Sequence, residues 1–193
     1  MKKILVLSII LLAASCKSGK ITANSPKKYN LEALEKVIVQ GNLKEIYPDA
    51  NIAEGADLFD EGTVEREYSI LYPDTQDELL IIWEGSEKTK LHQIHYEGDG
   101  RWRSNTGIAI GTTFEDLVAL NGGPIDVYGF GWDYSGAVDF KNGKLEASNV
   151  RVFLAPENAP PQSFYGDQII DPGLVEEIKN LKLKVRAITY QPD

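Results

Sequence analysis

The sequence predicts an α+β fold in which antiparallel β-meanders pack against a few short helices. Two observations favour this class. Short runs rich in β-branched, aromatic and other apolar residues are separated by tight turn signals, as in a meander. Short helical segments, each bounded by a capping residue and a breaker, lie between groups of these runs. A third observation, the likeness of the two halves, extends the prediction to two helix-plus-meander units.

Two helices are predicted in the first half. Asn30 is a good N-cap for an amphipathic helix that Gly41 ends. The β-branched residues 37–39 leave open whether the last turn is helical or extended. A second, short helix is predicted over residues 42–47, because Pro48 stops it.

Two further helices are predicted in the second half. Thr112 and Glu115 have the spacing of a capping box, and the Asn-Gly-Gly-Pro run at 121–124 ends the helix that they begin. A last helix over about residues 173–181 follows Asp171, which with the next proline marks a helix start.

The strands are predicted from apolar runs between turn residues. They cover residues 63–72, 78–84, 91–96, 125–128, 131–140, 144–154 and 183–190. The continuous apolar run at 78–84 is the best candidate for the centre of the sheet. Residues 141–143 read Lys-Asn-Gly and predict a tight hairpin turn between two of these strands.

The chain divides into two halves, residues 29–104 and 105–193, that resemble each other in outline. Residues 41–45 and 111–115 both read glycine, cap, two residues and glutamate, and each leads through a proline-containing breaker to paired strands. A diverged duplication explains this likeness. Two short chance matches explain it equally well, and both interpretations stay open.

The N-terminus predicts export and lipid attachment. Residues 1–15 have a basic start, a short apolar run and small residues at their end, as in a secretory signal peptide too short to span a membrane stably. Residues 11–16 resemble the bacterial lipobox, with Ala13 where leucine is commoner and Cys16 as the residue to be lipidated. The alternative is ordinary secretory cleavage, which would leave Cys16 as an exposed odd thiol.

The lipobox resemblance implies an address in the cell envelope. Acyl chains on Cys16 would hold the protein to the bilayer. Lys17 stands where an aspartate would imply retention, so the resemblance implies the outer membrane, facing the periplasm. Residues 16–28 are polar and basic and are predicted to be a tether.

The body of the chain is strongly acidic. Six of the 20 basic residues precede Tyr29 and all 29 acidic residues follow it, which leaves residues 29–193 with a net charge of −15. Nucleic acid binding depends on basic groups that displace counterions, so we expect no nucleic acid partner. Membrane contact through the lipid anchor and an envelope protein or glycan partner are the expected interactions.

The most unusual segment of the body has aromatic and small residues in alternation. On a strand, this pattern would place four rings on one face. The candidate ligand-binding residues are Tyr128, Phe130, Trp132, Asp133 and Tyr134. A platform for a sugar, peptide or base is one interpretation, and rings that fill a core beside close-packed glycines are the other.

This segment also carries a family resemblance. Residues 107–111, 117–122 and 129–134 are similar to a family of uncharacterised bacterial envelope proteins with a GFGWDYGG-like motif. Ser135 stands where that motif has glycine. The resemblance implies an envelope protein and supplies no catalytic residues.

Other polar residues give weaker signals. His92 and His95 are the two histidines, and three residues apart on one strand they face opposite sides. Acidic residues near 57–61 and 74–78 could form a glycosidase pair or bind calcium, but acidic turns are common. We therefore predict no metal site, no cofactor and no catalytic residue. The predicted function is a lipid-anchored, non-catalytic binding or assembly module, and a hydrolase that uses acidic residues is the alternative.

The lipid anchor is directly testable. We expect Cys16→Ser to abolish labelling by radioactive palmitate and to release the protein from membranes, because the thioether can no longer form. Labelling or membrane attachment that persists in this variant would refute the anchor.

Overall fold

The computed structural model describes residues 21–39, 41 and 43–192, and it confirms the α+β class. The predicted signal peptide and Cys16 lie outside the described residues. A six-stranded sheet with strand order β1-β2-β3-β4-β8-β7 is antiparallel throughout, and β5 and β6 form a separate two-stranded sheet. Among the described residues, every helix falls short of the length and apolar character that membrane crossing requires.

The helices are α1 (Leu31–Val39), α2 (Leu43–Ile46), α3 (Phe114–Asn121) and α4 (Val175–Leu181), with a short 3₁₀ helix at Gln162–Phe164. The strands are β1 (Ala53–Phe59), β2 (Val64–Leu71), β3 (Leu79–Trp83), β4 (Leu91–Tyr96), β5 (Asp126–Val127), β6 (Val138–Asp139), β7 (Val150–Ala155) and β8 (Lys184–Tyr190).

The large sheet draws strands from both halves of the chain. β8, the last strand in chain order, lies between β4 and β7 and pairs with both. β3 is an inner strand with four of its five residues buried, as its continuous apolar sequence predicts. The duplication stays a prediction, since the sheet joins the two halves into one core and leaves their ancestry open.

One face of the sheet packs against α1. Asn30 caps this helix, because its side-chain oxygen accepts a hydrogen bond from the Ala33 amide at 2.9 Å. The Tyr190 hydroxyl of β8 donates to the Glu35 carboxylate of α1 at 2.7 Å. Burial and this carboxylate raise the pKa of Tyr190 far above its usual value, so the hydroxyl stays protonated as a donor.

Residues 21–28 fold against the body instead of extending away as a tether. Ile21 is buried in the core, and the Ser25 amide donates to the Thr22 carbonyl at 2.9 Å to form a turn. The Lys28 ammonium lies 5.3 Å from the centroid of the Tyr29 ring and 3.5 Å from the Asp49 carboxylate. The end of the predicted tether is therefore part of the domain.

The predicted elements differ from the structure at four places, each for a local reason. β1 is absent from the predicted strands, because five of its seven residues are exposed and its sequence is poor in strand-forming residues. Thr113 rather than Thr112 caps α3, since its side chain accepts from the Asp116 amide at 3.1 Å. α4 begins at Val175 rather than at 173, after a turn closed by Asp171.

The largest difference concerns the predicted strands at 131–140 and 144–154. Turns cover residues 131–136 and 141–148, so β6 has two residues and β7 begins at Val150. The hairpin predicted across residues 141–143 is therefore wrong, although the turn itself is present, with the Gly143 amide donating to the Phe140 carbonyl at 2.9 Å.

Asn121 explains why residues 144 and 145 do not continue a strand. Its side chain is fully buried at the end of α3 and donates to the carbonyls of Gly123, Pro124 and Phe140 at 3.2, 3.3 and 3.0 Å. Its side-chain oxygen accepts from the Leu145 amide at 3.2 Å. A single side chain thus fixes the chain on both sides of the 141–143 turn.

Replacement of Asn121 by alanine is expected to destabilise the fold by about 2–4 kcal/mol, because it leaves several buried carbonyl and amide groups without partners. Asn180→Ala, at an exposed position of α4, is the matched control and should change stability by less than about 0.5 kcal/mol. Urea unfolding of the two variants measures the difference. Equal stability of Asn121→Ala and the control would contradict this role.

Candidate functional site

The aromatic segment turns instead of forming a strand. Gly131 and Gly136 have φ values of 78° and 72°, a left-handed backbone that glycine adopts at little cost. A Cβ atom at Gly136 would lie 2.0 Å from the Leu154 carbonyl oxygen, so this corner also requires the absence of a side chain. The four rings therefore do not share one face of a strand, and this part of the prediction is wrong.

Three of the four predicted rings nevertheless come together. The Trp132 ring centroid lies 6.1 Å from that of Tyr128 and 5.3 Å from that of Tyr134, with interplanar angles of 57° and 60°. Phe130 is buried in the core instead. The turn thus separates Phe130, which fills the core, from the other three rings, and a ligand platform formed by those three stays a prediction.

The three rings line a groove of about 930 Å³ on the large sheet. Its floor comes from β4, β8 and β7, which contribute Gln93, Thr189, Arg151 and Phe153. Its wall is the chain from Tyr128 to Phe140, and the 141–148 turn closes one end. A cavity of this size is at the upper end of the range that holds small ligands.

A bridge joins the wall of the groove to β7. Ala137 and Phe153 are bridged, and the Leu154 amide donates to the Gly136 carbonyl at 2.7 Å. Beyond this bridge β6 pairs with β5 and β7 pairs with β8. Residues of both β6 and β7 line the groove.

The Trp132 ring is held in a fixed orientation. Its indole N–H donates to the Gly129 carbonyl at 2.9 Å. Gly129 is buried, and a Cβ atom there would lie 2.5 Å from the Gly166 carbonyl oxygen. The close approach of the 164–168 segment therefore fixes the backbone that orients the indole.

The Tyr134 ring is positioned by a contact from the opposite end of the sheet. Its hydroxyl donates to the Glu61 carboxylate at 3.3 Å, and Glu61 lies in the turn between β1 and β2. Charge repulsion from Glu61 and this hydrogen bond raise the pKa of the Tyr134 phenol above its usual value. The phenol is therefore neutral near pH 7, and its proton is donated to Glu61.

The charged side chains that line the groove are mostly acidic. Asp139, Glu146 and Asp167 are carboxylates and Arg151 is the single cation among the lining residues, which gives a net charge of −2. Within the described part of the chain, none of these four side chains forms an ion pair. The groove thus presents negative charge without internal compensation.

Asp133, the fifth predicted site residue, does not line the groove. It is exposed in the turn, between Trp132 and Tyr134. Ser135, at the position where the resembling motif has glycine, accepts a hydrogen bond from the Gly131 amide at 3.2 Å and so stabilises the turn. Of the five predicted residues, the structure places Tyr128, Trp132 and Tyr134 in the groove.

The two histidines take part in separate networks. His95 contacts the Thr189 hydroxyl at 3.3 Å and the Glu97 carboxylate at 3.1 Å, beside the groove floor. His92 contacts the Glu84 carboxylate at 3.0 Å, near Asp60. Throughout the residues that the structure describes, no group of three histidine, cysteine, aspartate or glutamate side chains could hold a metal ion.

The acidic residues of the predicted turns form structural ion pairs. Arg101 donates to Asp77 at 2.7 and 2.6 Å, and Arg66 donates to Asp60 at 3.0 and 2.9 Å. Hydrogen bonds from these arginines lower the pKa of the Asp60 and Asp77 carboxyl groups, against the opposing effect of desolvation. Arg101 is therefore an ion-pair partner within the fold.

Comparisons with known proteins bear on the fold alone. No protein-family model matches the chain, and no curated protein sequence matches it. Among solved structures, the chain is similar to the uncharacterized protein yfeY from Escherichia coli, with a TM-score of 0.50 and 14% sequence identity over 79% of this chain and 87% of that chain. At this identity, the likeness concerns the arrangement of helices and strands.

We expect Glu61→Gln to lower the pKa of Tyr134 towards the usual value for tyrosine, because the charge that disfavours the phenolate is removed. NMR titration of proteins with ¹³C-labelled tyrosine rings measures this shift, and the Tyr134→Phe spectrum assigns the resonance. Glu65→Gln on β2 is the control and should leave the Tyr134 pKa unchanged. An identical Tyr134 titration in Glu61→Gln and the control would show that the two ends of the sheet do not meet.

Proposed function

We propose that this protein is a lipid-anchored bacterial envelope protein that acts by binding a partner in the aromatic groove, without catalysis. The observation that carries the proposal is the convergence of Tyr128, Trp132 and Tyr134 on one cavity of about 930 Å³. Aromatic rings with one exposed face are typical of binding sites, because they bury a large area at little loss of conformational freedom.

The anchor is the second part of the proposal. Lipidation at Cys16 would place the protein on the envelope membrane, and the outer membrane facing the periplasm is the proposed location. Ile21 is buried in the body, and five residues of extended chain span at most about 18 Å. The proposed anchor would therefore hold the domain close to the bilayer, which favours a partner at or near the membrane surface.

The partner proposed here is an envelope protein. The groove combines aromatic rings with amide, hydroxyl and carboxylate groups along strand ends, a mixture that suits a polypeptide segment. The acidic body argues against nucleic acid as the partner.

A hydrolase that uses acidic residues is the second candidate, favoured by one observation. Asp139, Glu146 and Asp167 line the same groove, and paired carboxylates can act as acid and base in glycoside hydrolysis. Incubation of the full-length protein with envelope substrates tests it. Turnover that disappears in Asp139→Asn or Glu146→Gln would replace the binding proposal.

Site-specific photo-crosslinking in living cells tests the binding proposal. A benzoylphenylalanine at position 134, at the groove, should crosslink to a defined envelope protein. The same residue at position 165 is the matched control, because Tyr165 is exposed to a similar extent (42% against 49% for Tyr134) but does not line the groove. The absence of a product at position 134, or identical products at both positions, would contradict the groove as the binding site.

A further inference from the structure

We propose that the groove recognises an ammonium group, that of a lysine side chain on the partner protein. The inference rests on the proposed function and adds the chemical class of the group that the groove receives.

The rings form an angled cage rather than a flat platform. The Trp132 ring is tilted by 57° from Tyr128 and by 60° from Tyr134. A planar base or the flat face of a sugar stacks best on a ring parallel to it, and Trp132 cannot offer such a surface together with Tyr128 or Tyr134. A compact cation is attracted to several ring faces at once, and tryptophan is the strongest of the aromatic side chains in this interaction.

The fixed orientation of the rings favours this use. The Trp132 indole N–H is bonded to the Gly129 carbonyl, and the Tyr134 hydroxyl is bonded to Glu61. Both polar atoms are therefore engaged within the protein, so the ring faces are left as the interacting surfaces of these two residues. A cage that is already ordered loses little conformational entropy on binding.

The charge of the groove selects the sign of the ligand. The lining residues include three carboxylates and one arginine, and none of these four side chains forms an ion pair with another described residue. Glu61 adds a further carboxylate beside Tyr134. An anionic ligand would meet repulsion from these groups, whereas an ammonium group would be attracted to them.

The cavity is larger than one ammonium group needs, which favours a lysine within a polypeptide over a free small cation. Its volume is about 930 Å³, and its floor offers the side-chain amides of Gln93 and Gln191. Side-chain amides both donate and accept, and so can bond to the backbone of a peptide that brings the lysine.

Calorimetric titration of the full-length protein in a neutral detergent with blocked pentapeptides tests the inference. The probe is acetyl-Gly-Gly-Lys-Gly-Gly-amide, and the matched controls carry norleucine or Nε-acetyllysine in place of lysine. We expect the lysine peptide to bind with a Kd of about 1 mM or tighter, and each neutral control to bind at least about tenfold more weakly. Equal affinities of the lysine and norleucine peptides would overturn the inference, as would no binding of the lysine peptide up to about 10 mM.

Variants locate the interaction. Trp132→Ala should weaken binding of the lysine peptide about threefold to thirtyfold, the range expected for loss of a cation–π contact. Tyr134→Ala is the second variant, since Tyr134 is half exposed and its removal spares the core, and it should weaken binding in the same direction. Glu146→Gln should weaken binding about twofold or more, while Glu177→Gln on the exposed surface of α4 should not. Unchanged affinity in both ring variants would overturn the site.

Two measurements distinguish recognition of a lysine side chain from its alternatives. Choline that binds while the lysine peptide does not would assign the groove to a small or lipid-borne ammonium and overturn the lysine assignment. Crosslinking at position 134 reports engagement of the groove whatever the ligand charge. A crosslink there together with no preference for the lysine peptide would therefore overturn the ligand class and leave the proposed function standing.

Discussion

The pairing of β8 between β4 and β7 is the constraint on which the rest of the structure depends. The Val185 amide donates to the Thr112 carbonyl at 2.9 Å, and the Leu183 carbonyl accepts from the Phe114 amide at 3.0 Å, so the start of α3 is also bound to this part of the chain. Tyr190 reaches Glu35 on α1 from the other end of the strand. The end of the chain that includes β8 thus positions both α1 and α3. Because the partners of β8 lie far away in sequence, these helix contacts form only after long-range strand pairing.

The shape of the groove depends on the pairing of β8 between β4 and β7. Thr189 and Gln191 form its floor because β8 is an inner strand, and Phe153 joins them because β7 pairs with β8. The wall depends on Asn121 and on the glycine corners, which bend the aromatic segment over that floor. The rings are consequently carried by a turn that several buried contacts fix, which gives a surface both exposed and ordered.

The elements with strong local signals could be predicted, and the others could not. Asn30 and Gly122 mark a helix start and a helix end by their own chemistry, and the apolar run of β3 indicates an inner strand. β1 could not be predicted, because an exposed edge strand needs no apolar pattern. The alternation of aromatic and small residues at 128–134 is as compatible with a strand as with the turn that forms. The positive φ of Gly131 is set by the surrounding structure and not by the residues next to it in sequence. The ring content of this segment is visible in the sequence, whereas the Glu61 contact, 73 residues away, has no local signal.

An acidic body on a proposed lipid anchor presents an aromatic groove that carries negative charge, and the central claim is that this groove is occupied in the envelope. Hydrogen–deuterium exchange of the full-length protein, compared between native envelope membranes and neutral detergent, tests the claim most directly. The account predicts slower amide exchange in membranes over residues 128–140 and 148–153, with unchanged exchange at β1. Equal exchange in both settings over these segments, or protection confined to other surfaces, would contradict it.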